Sequence, residues 1–305
     1  MSELRFDDRV AVITGAGRGL GRAYAELLAA HGAKVVVNDV GGTMRGDGFV
    51  EGDVAAETVR AITAAGGTAV ASTDSVATPA GGQAIIDTAL NAYGRIDILI
   101  HNAGNVRYGS LTELSYEDFD AVVDVHLRGA FHVVRAAFPS MSQAGYGRVV
   151  LTSSIGGIYG NLAVANYAVA KAGVIGLSNV VALEGAETGI TSNVIIPAAL
   201  TRMAEGLDTS AYPDMRPELV APTVGWLAHE SCSVSGELLV SIAGRVARAY
   251  IAETRGVYQP SWTVDEVAAR IDEIRDTENS WVLPPVPSAF GEHIGRSFAM
   301  ATEWK

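Results

Sequence analysis

Tyr167 and Lys171 stand four residues apart in the segment Asn166-Tyr167-Ala168-Val169-Ala170-Lys171. On a helix, residues i and i+4 share a face, so the Lys171 ammonium would lie beside the Tyr167 phenol. A neighbouring positive charge favours the phenolate and lowers a pKa that starts at about 10. Such a tyrosine can exchange a proton with a carbinol or carbonyl oxygen while a hydride moves to or from a nicotinamide. Taken alone, the pair fits an exposed pair on a surface helix equally well.

Ser154 adds a third group to this pair. It comes thirteen residues before Tyr167 and directly follows the apolar run that ends in Thr152-Ser153. A serine hydroxyl there would donate a hydrogen bond to the substrate oxygen. The three residues predict the interconversion of a secondary alcohol and a ketone, with Tyr167 as the acid-base residue.

A glycine-rich turn, Thr14–Gly21, joins the first apolar run, Val10–Thr14, to a predicted helix. Its spacing is Gly15-x-x-x-Gly19-x-Gly21, and Leu20 stands where a strict G-x-G-x-x-G motif has its third glycine. Glycine lets the backbone turn sharply and approach a pyrophosphate, and the helix N-terminus supplies free N–H groups. The turn predicts nucleotide binding, although an ordinary glycine-rich turn has the same composition.

Asp39 ends the second apolar run and predicts which cofactor binds. A carboxylate there can accept hydrogen bonds from the adenosine ribose hydroxyls and would repel the 2′-phosphate of NADP. Arg18 in the glycine turn acts in the opposite direction, because it can reach a 2′-phosphate. We predict NAD, because a buried carboxylate facing a phosphate is costly whereas an arginine can turn out to solvent.

Short β-branched runs alternate with amphipathic stretches along most of the chain, which predicts a doubly wound parallel sheet of about seven strands with helices on both faces. The predicted strands are Val10–Thr14, Val35–Asn38, Thr68–Ala71, Ile96–His101, Arg148–Ser153, Ser192–Ile196 and Glu237–Ile242. The predicted helices are Gly19–His31, Asp53–Ala65, Thr78–Tyr93, Tyr116–Gln143, Asn166–Glu187 and Pro217–Ala228. The glycine-rich stretch Gly41–Gly52 is expected to be a mobile surface loop.

The strand pattern stops near Gly244, which we place at the end of a domain of residues 1–244. Two further helices are predicted beyond it, Arg245–Glu253 and Thr263–Thr277, before the proline-rich piece Pro284–Pro287. Residues 245–305 are too few and too polar to build a core easily, so we expect an extension packed on the same domain.

The composition limits the possible partners. The net charge of -12 disfavours nucleic acid, because an acidic protein repels a phosphate backbone. No apolar run is long enough for a signal segment or a membrane span, so no membrane partner is expected. The single cysteine, Cys232, is typical of a cytoplasmic protein, and the scattered histidines predict no metal site.

Together, Thr14–Gly21, Asn102-Ala103-Gly104, Ser154, Tyr167 and Lys171 resemble the short-chain dehydrogenase/reductase family in order and spacing, over about Phe6 to Gly244. The resemblance implies that Ser154, Tyr167 and Lys171 are catalytic. It also implies that the fourth and fifth predicted helices, Tyr116–Gln143 and Asn166–Glu187, pair between subunits to form a homodimer or homotetramer. It implies the following cofactor-binding set: Gly15, Arg18, Gly19, Leu20, Gly21, Asp39, Asp74, Ser75, Asn102, Ala103, Gly104, Tyr167, Lys171, Pro197 and Thr201.

Two positions depart from the family pattern. His126, in His126-Leu127-Arg128-Gly129, replaces the asparagine that completes the family's proton relay through water. A histidine can relay protons through its ring nitrogens, and it can equally be a buried structural residue. Ala198 follows Pro197 where the family usually has glycine.

One branch of the family is more similar than the rest. The resemblance is to the (3R)-hydroxyacyl-CoA dehydrogenase units of the peroxisomal multifunctional enzymes of type 2, and the residues that carry it are Asn38–Gly42, Asp74–Val76, His126–Gly129, Gly157–Asn161 and His229–Cys232. That branch implies a (3R)-3-hydroxyacyl-CoA substrate, whose phosphates Arg107, Arg202, Arg245 and Arg248 could meet. A dehydrogenase for a steroid or another ketone, and a cofactor-binding scaffold without activity, are the alternatives.

Overall fold

The structure is a computed structural model. It describes residues 3–49, 52–201, 208, 211–286 and 288–303. Of the residues singled out in the sequence, Arg202 and Pro287 lie outside the described residues. The chain divides into two compact units, residues 1–248 and residues 249–305.

The first unit is built on one sheet, and its predicted parallel, doubly wound arrangement is confirmed. The strands are β1 Val10–Thr14, β2 Lys34–Asn38, β3 Thr68–Ser72, β4 Ile98–His101, β5 Gly147–Thr152, β6 Ile190–Ala198, β7 Leu238–Ile242 and β8 Arg245–Ala249. Their order is β3-β2-β1-β4-β5-β6-β7-β8. Because β1 pairs in parallel with both β2 and β4, the order reverses beside β1, and a ligand crevice is expected at the carboxyl ends there.

Helices cover both faces of this sheet. They are α1 Gly19–Ala30, α2 Val54–Ala64, α3 Pro79–Tyr93, α4 Tyr116–Val123, α5 Gly129–Ala144, α6 Ile155–Tyr159, α7 Ala165–Gly185 and α8 Ala221–Ala228. Alternate residues of β1 enter opposite cores: Ala11 and Ile13 pack with α1 and α8, whereas Val10 and Val12 pack with α3, α5 and α7. This two-sided burial explains why the strands are apolar throughout.

The predicted fourth helix, Tyr116–Gln143, is helical throughout but is not a regular α-helix. A π-helical turn, Asp124–Arg128, separates α4 from α5. Such a turn inserts an extra residue and changes which side chains face inward, and it often occurs at functional sites. Here the inward side chain is His126, which is 1% exposed.

The helix predicted at Arg245–Glu253 is wrong. Residues 245–249 form β8, which extends the sheet beside β7. Ala243 and Gly244 both have positive φ, 48° and 78°, as the two central residues of a tight hairpin turn require. The turn reverses the chain, so that the segment after Gly244 continues the sheet.

The second unit contains a two-stranded antiparallel sheet, two short helices and a longer final helix. Strand β9, Ala252–Glu253, pairs with β10, Trp281–Val282. The predicted helix Thr263–Thr277 is two short ones, α9 Val264–Ala269 and α10 Ile271–Ile274. The final helix, α11 Ala289–Glu303, was not predicted.

Helix α7, with the 3₁₀ turn that follows it, is long and apolar enough to cross a membrane by length and composition alone, although the sequence reading found no such run. Its place in the fold accounts for part of this composition, because some of its apolar residues are buried and others are exposed. Val174, Val181 and Ala182 are buried, and the helix packs on β6 and α4. It is the helix that carries Tyr167 and Lys171.

Candidate active site

The glycine turn after β1 forms a close-packed backbone cradle. Gly15 and Gly19 have φ values of 64° and 52°, which side-chain-bearing residues rarely adopt. A Cβ on Gly15 would lie 2.7 Å from the Ala103 Cα, and one on Gly21 would overlap the Gly15 carbonyl oxygen. The Arg18 side chain makes no capping bond to α1. The N-terminus of α1 therefore keeps N–H groups for a pyrophosphate, and this cradle fits a dinucleotide.

A cavity of about 660 Å³ opens at the carboxyl ends of β1, β2 and β4. Ten of the predicted cofactor-binding residues line it: Gly15, Arg18, Gly19, Leu20, Asp39, Ser75, Asn102, Ala103, Gly104 and Thr201. Five others do not line it: Gly21, Asp74, Tyr167, Lys171 and Pro197. Gly21 contributes indirectly, because its lack of a side chain lets α1 pack closely against the glycine turn. Pro197 lies within β6.

The Asp39 carboxylate is held at the wall of this cavity by two backbone donors. The Gly17 N–H donates to Oδ2 at 3.0 Å, and the Gly41 N–H donates to Oδ1 at 2.8 Å. Each carboxylate oxygen can accept more than one hydrogen bond. The carboxylate is thus fixed in place and retains acceptor capacity for ribose hydroxyls.

Thr14 holds the Asn102-Ala103 segment against the glycine turn. Its hydroxyl oxygen accepts from the backbone N–H groups of Asn102 and Ala103, both at 3.1 Å, and pairs with His101 Nδ1 at 3.0 Å. The Asn102 amide donates to the Gly15 carbonyl at 3.1 Å. The side chain of Asn102 therefore stabilises the glycine turn, whereas Ala103 and Gly104 form part of the cavity wall.

Asp74 and Ser75 have different positions. The Asp74 carboxylate is exposed and accepts from the Ser72 hydroxyl at 3.2 Å. Its carbonyl accepts from the buried Asn38 amide at 2.9 Å. Asp74 therefore anchors the end of β3 to β2, and Ser75 follows it into the cavity wall.

Ser154, Tyr167 and Lys171 meet where β5, α6 and α7 converge. Ser154 is the N-cap of α6, and its hydroxyl accepts from the Gly156 N–H at 3.1 Å. Lys171 is buried one helical turn after Tyr167, with its Nζ 5.6 Å from the centre of the Tyr167 ring. That Nζ donates to the Thr152 carbonyl at 2.6 Å. The fold thus brings the three predicted residues together.

Burial has the largest effect on the pKa values of Tyr167 and Lys171. It raises the pKa of Tyr167, and a hydrogen bond with Ser154 opposes the shift. Burial lowers the pKa of Lys171 to about 7. The expected lowering of the tyrosine pKa is therefore wrong for this arrangement, because removal from water penalises the phenolate and the ammonium alike.

His126 lies beside Tyr167, with the ring centres 5.2 Å apart in an edge-to-face arrangement. Its Nε2 contacts the backbone of Asn105, 3.1 Å from the N and 2.8 Å from the O. Its Nδ1 is buried without a hydrogen-bond partner among the described residues. Burial, reinforced by Lys171, holds the His126 pKa well below its usual value. The imidazole is therefore neutral, and its Nδ1 has hydrogen-bonding capacity that the described residues do not use.

A family model for short chain dehydrogenases matches residues 9–210. The chain belongs to this family. Members of the family are oxidoreductases that use NAD or NADP. The cradle, the cavity and the Ser154–Tyr167–Lys171 group are thus parts of a dehydrogenase.

The relatives of this dehydrogenase include multifunctional enzymes. It is 48% identical over 263 residues to peroxisomal multifunctional enzyme type 2 of Drosophila melanogaster, covering 85% of this chain and 43% of the relative. The structure of that full-length Drosophila enzyme matches with a TM-score of 0.80 and 37% identity, over 98% of this chain and 50% of that one. A crystal structure of a short chain dehydrogenase from Mycobacterium avium has a TM-score of 0.77 and 38% identity, covering 92% and 98%. The chain spans half or less of the multifunctional enzyme and is similar to its dehydrogenase unit.

Sequence reasoning missed several residues of the dehydrogenase cavity. They include Val40, Thr43, Met44, Phe49, Thr73, Val76, Ala77, Asn105, Ala121, Asp124 and Val125. Those from the stretch after Asp39 had one usable signal in the sequence, since they directly follow the strand end that was predicted to bind the adenosine. Asp124 and Val125 carried none, because the π-helical turn that presents them is not visible in the apolar pattern.

Proposed function

We propose that this dehydrogenase uses NAD to oxidise a (3R)-3-hydroxyacyl-CoA to the 3-ketoacyl thioester. The observation that carries the dehydrogenase chemistry is the convergence of Ser154, Tyr167 and Lys171 on one side of the nucleotide cradle. The substrate class rests on the similarity to the dehydrogenase unit of the multifunctional enzymes.

The glycine turn and Asp39 would hold NAD, which would supply the hydride acceptor for the carbinol carbon. The Ser154 hydroxyl would orient the substrate oxygen, and Tyr167 would take the substrate's proton as the carbon–oxygen double bond forms, while its own phenolic proton passes to the Lys171 amine. The raised pKa of Tyr167 keeps the phenol protonated beforehand, and the Lys171 pKa of about 7 leaves a neutral amine as the acceptor near neutral pH. His126 Nδ1 would bind a water that carries the proton onward.

The surface near Tyr167 suits an apolar substrate. Tyr108, whose phenol interacts electrostatically with Tyr167, is 57% exposed, and Leu111 and Leu162 are 84% and 90% exposed. A bridge between Gly109 and Val164 joins the two loops that carry them. An acyl chain could cover this apolar surface, and so could a steroid.

Of the four arginines expected to meet the coenzyme A phosphates, Arg202 lies outside the described residues and two of the other three are paired with carboxylates. The Arg107 side chain is only 11% exposed and is paired with Asp118. Arg248 lies 3.5 Å from Glu237, whereas Arg245 is exposed. A phosphate site built from Arg107, Arg245 and Arg248 is therefore not supported, and a hydroxysteroid is the alternative substrate.

A comparison of specificity constants with NAD tests the substrate proposal. We expect (3R)-3-hydroxyacyl-CoA to exceed both its (3S) epimer and a panel of hydroxysteroids. Preference for the (3S) epimer, or better turnover of a steroid, would refute the acyl-CoA assignment and leave the dehydrogenase intact. Complete inactivity towards every alcohol, with NAD bound, would instead favour the scaffold.

The cofactor preference follows from the fixed Asp39 carboxylate. We expect NAD(H) to bind at least about tenfold more tightly than NADP(H), a difference of about 1.4 kcal/mol. Calorimetric titration of both cofactors measures it. Equal affinities, or tighter binding of NADP(H), would show that Arg18 outweighs Asp39. Asp39→Asn is a matched variant that keeps the size and removes the charge, and it should narrow the gap.

Substitution of His126 distinguishes a proton-relay role from a packing role. We expect His126→Ala to lower kcat by about tenfold, an effect of about 1.4 kcal/mol on the barrier, because the water loses its acceptor. His126→Asn should recover most of the rate, since its amide can hold a water. If His126→Ala keeps full kcat and only lowers Tm, the histidine is a packing residue.

We propose a homodimer or homotetramer assembled through α5 and α7. Among the apolar residues of these helices, Phe131 and Val180 are 48% and 47% exposed, and Val169 is 51% exposed. A second copy would cover this surface. Light scattering at micromolar concentration measures the molar mass in solution. The mass of a monomer would refute the proposal.

We also propose that the protein acts in the cytoplasm. The single buried thiol, Cys232, is consistent with a reducing compartment. The multifunctional relatives are peroxisomal by name, so a peroxisomal site is the alternative. Fluorescence imaging of the tagged protein distinguishes them.

A further inference from the structure

Residues 42–49, which follow Asp39, form a short hairpin rather than an irregular loop. Gly42 and Phe49 make an antiparallel bridge, and the Thr43 N–H donates to the Gly48 carbonyl at 2.9 Å. The Thr43 hydroxyl donates to the Asp47 carboxylate at 2.8 Å. All of these residues except Arg45 line the cofactor cavity. The 42–49 hairpin is therefore one wall of that cavity.

Arg107 fastens the tip of this hairpin to the opposite wall. Its Nε donates to the Arg45 carbonyl at 2.9 Å, and its Nη1 donates to the Asp118 carboxylate at 2.8 Å. Next to it, the Val106 N–H donates to the Met44 carbonyl at 3.0 Å. The planar guanidinium thus joins two acceptors from different segments in one fixed geometry.

The pair between Arg107 and Asp118 is charged at neutral pH and partly shielded from solvent. The side chains are 11% and 26% exposed. Hydrogen bonding to Arg107 holds the Asp118 pKa below its usual value. Charge-assisted hydrogen bonds of this kind are stronger than neutral ones, so they resist opening.

The same contacts reach the catalytic helix through Asn166, which is fully buried. Its amide nitrogen donates to the Arg107 carbonyl at 3.1 Å and to the Asp118 carbonyl at 3.0 Å. Its amide oxygen accepts from the Tyr167 N–H at 2.8 Å. Arg107 therefore lies between the cavity wall and the first turn of α7.

We propose that Arg107 is a positioning residue that holds the 42–49 hairpin against the bound cofactor and thereby sets the rate of cofactor release. The proposal rests on the proposed function in one respect, namely that NAD(H) occupies this cavity. A ligand enclosed between the hairpin and residues 102–105 leaves when the hairpin separates from Arg107. Release of product cofactor often limits turnover in enzymes with closing loops.

Stopped-flow displacement of bound NADH measures this rate directly. We expect Arg107→Ala to raise the NADH dissociation rate about tenfold. Arg60→Ala is the control: it removes an exposed arginine side chain of α2 that does not line the cavity, so its dissociation rate should stay within about twofold of the wild type. Chymotrypsin should also cut Arg107→Ala faster at Phe49, which is 79% exposed.

Arg107→Lys keeps the positive charge but replaces the several N–H donors of the guanidinium by a single nitrogen. Its NADH dissociation rate should therefore lie between those of the wild type and Arg107→Ala. It also provides the test if Arg107→Ala does not fold. Wild-type dissociation rates and wild-type cleavage at Phe49 in the folded variants would overturn the proposal. If the wild-type protein binds neither NAD(H) nor NADP(H), the proposed cofactor is refuted. The cleavage experiment needs no cofactor, so it would still test whether Arg107 holds the hairpin.

Discussion

Tyr167→Phe is expected to reduce kcat for alcohol oxidation by about 10²- to 10⁴-fold, the usual contribution of a positioned acid-base group. The substitution keeps the aromatic ring that packs edge-to-face on His126, with ring centres 5.2 Å apart, and removes only the hydroxyl. The fold and the cradle around Gly15 should therefore persist. Loss of activity would then report on proton transfer alone.

Steady-state kinetics together with NAD titration make this measurement. The NAD dissociation constant should stay within about twofold of the wild type, because Tyr167 does not line the cavity. Tyr116→Phe is a matched control, since it removes a phenol hydroxyl from a side chain that is 91% exposed. Near-normal turnover in Tyr167→Phe would show that another group moves the proton.

Lys171→Met is expected to move the pH dependence of alcohol oxidation upward by several pH units. Tyr167 and Lys171 are close enough to titrate as a pair, and oxidation requires the pair to have lost one proton. In the wild type that proton comes off near the lowered Lys171 pKa of about 7, so the rate should rise with pH through that region. Without the lysine, it must come from Tyr167, whose pKa burial raises above its usual value of 10.

The pH profile of kcat from pH 6 to 11 tests this expectation. At neutral pH the variant should lose about 10²-fold or more in rate, and activity should partly return in strongly alkaline buffer. A methionine fills nearly the same volume, so the Thr152 carbonyl loses its donor but the core keeps its packing. An unchanged profile would mean that Lys171 only holds the end of β5.

The strands and most helices of the first unit were predictable because their signals are local. Val10–Thr14 was predicted as a strand with the bounds observed. The glycine spacing likewise predicted the cradle, since the same few residues that turn the backbone also approach Ala103. The segment after Gly244 was predicted wrongly, because Ala243 adopts a positive φ that its residue type does not suggest.

The amino-acid sequence alone determined the alternation of strands and helices, the nucleotide turn, and the face shared by Tyr167 and Lys171, because apolar periodicity, glycine spacing and helical register are properties of neighbouring residues. Only the tertiary structure decided that the Tyr167 pKa is raised rather than lowered, that His126 is neutral, and that Arg107 pairs with Asp118 instead of facing a substrate phosphate. These outcomes depend on desolvation and on partners brought in from other segments. Asn105 reaches His126, and Arg45 reaches Arg107 from 62 positions away in the chain. Burial and charge pairing act through space, so they are set by which elements the fold brings into contact.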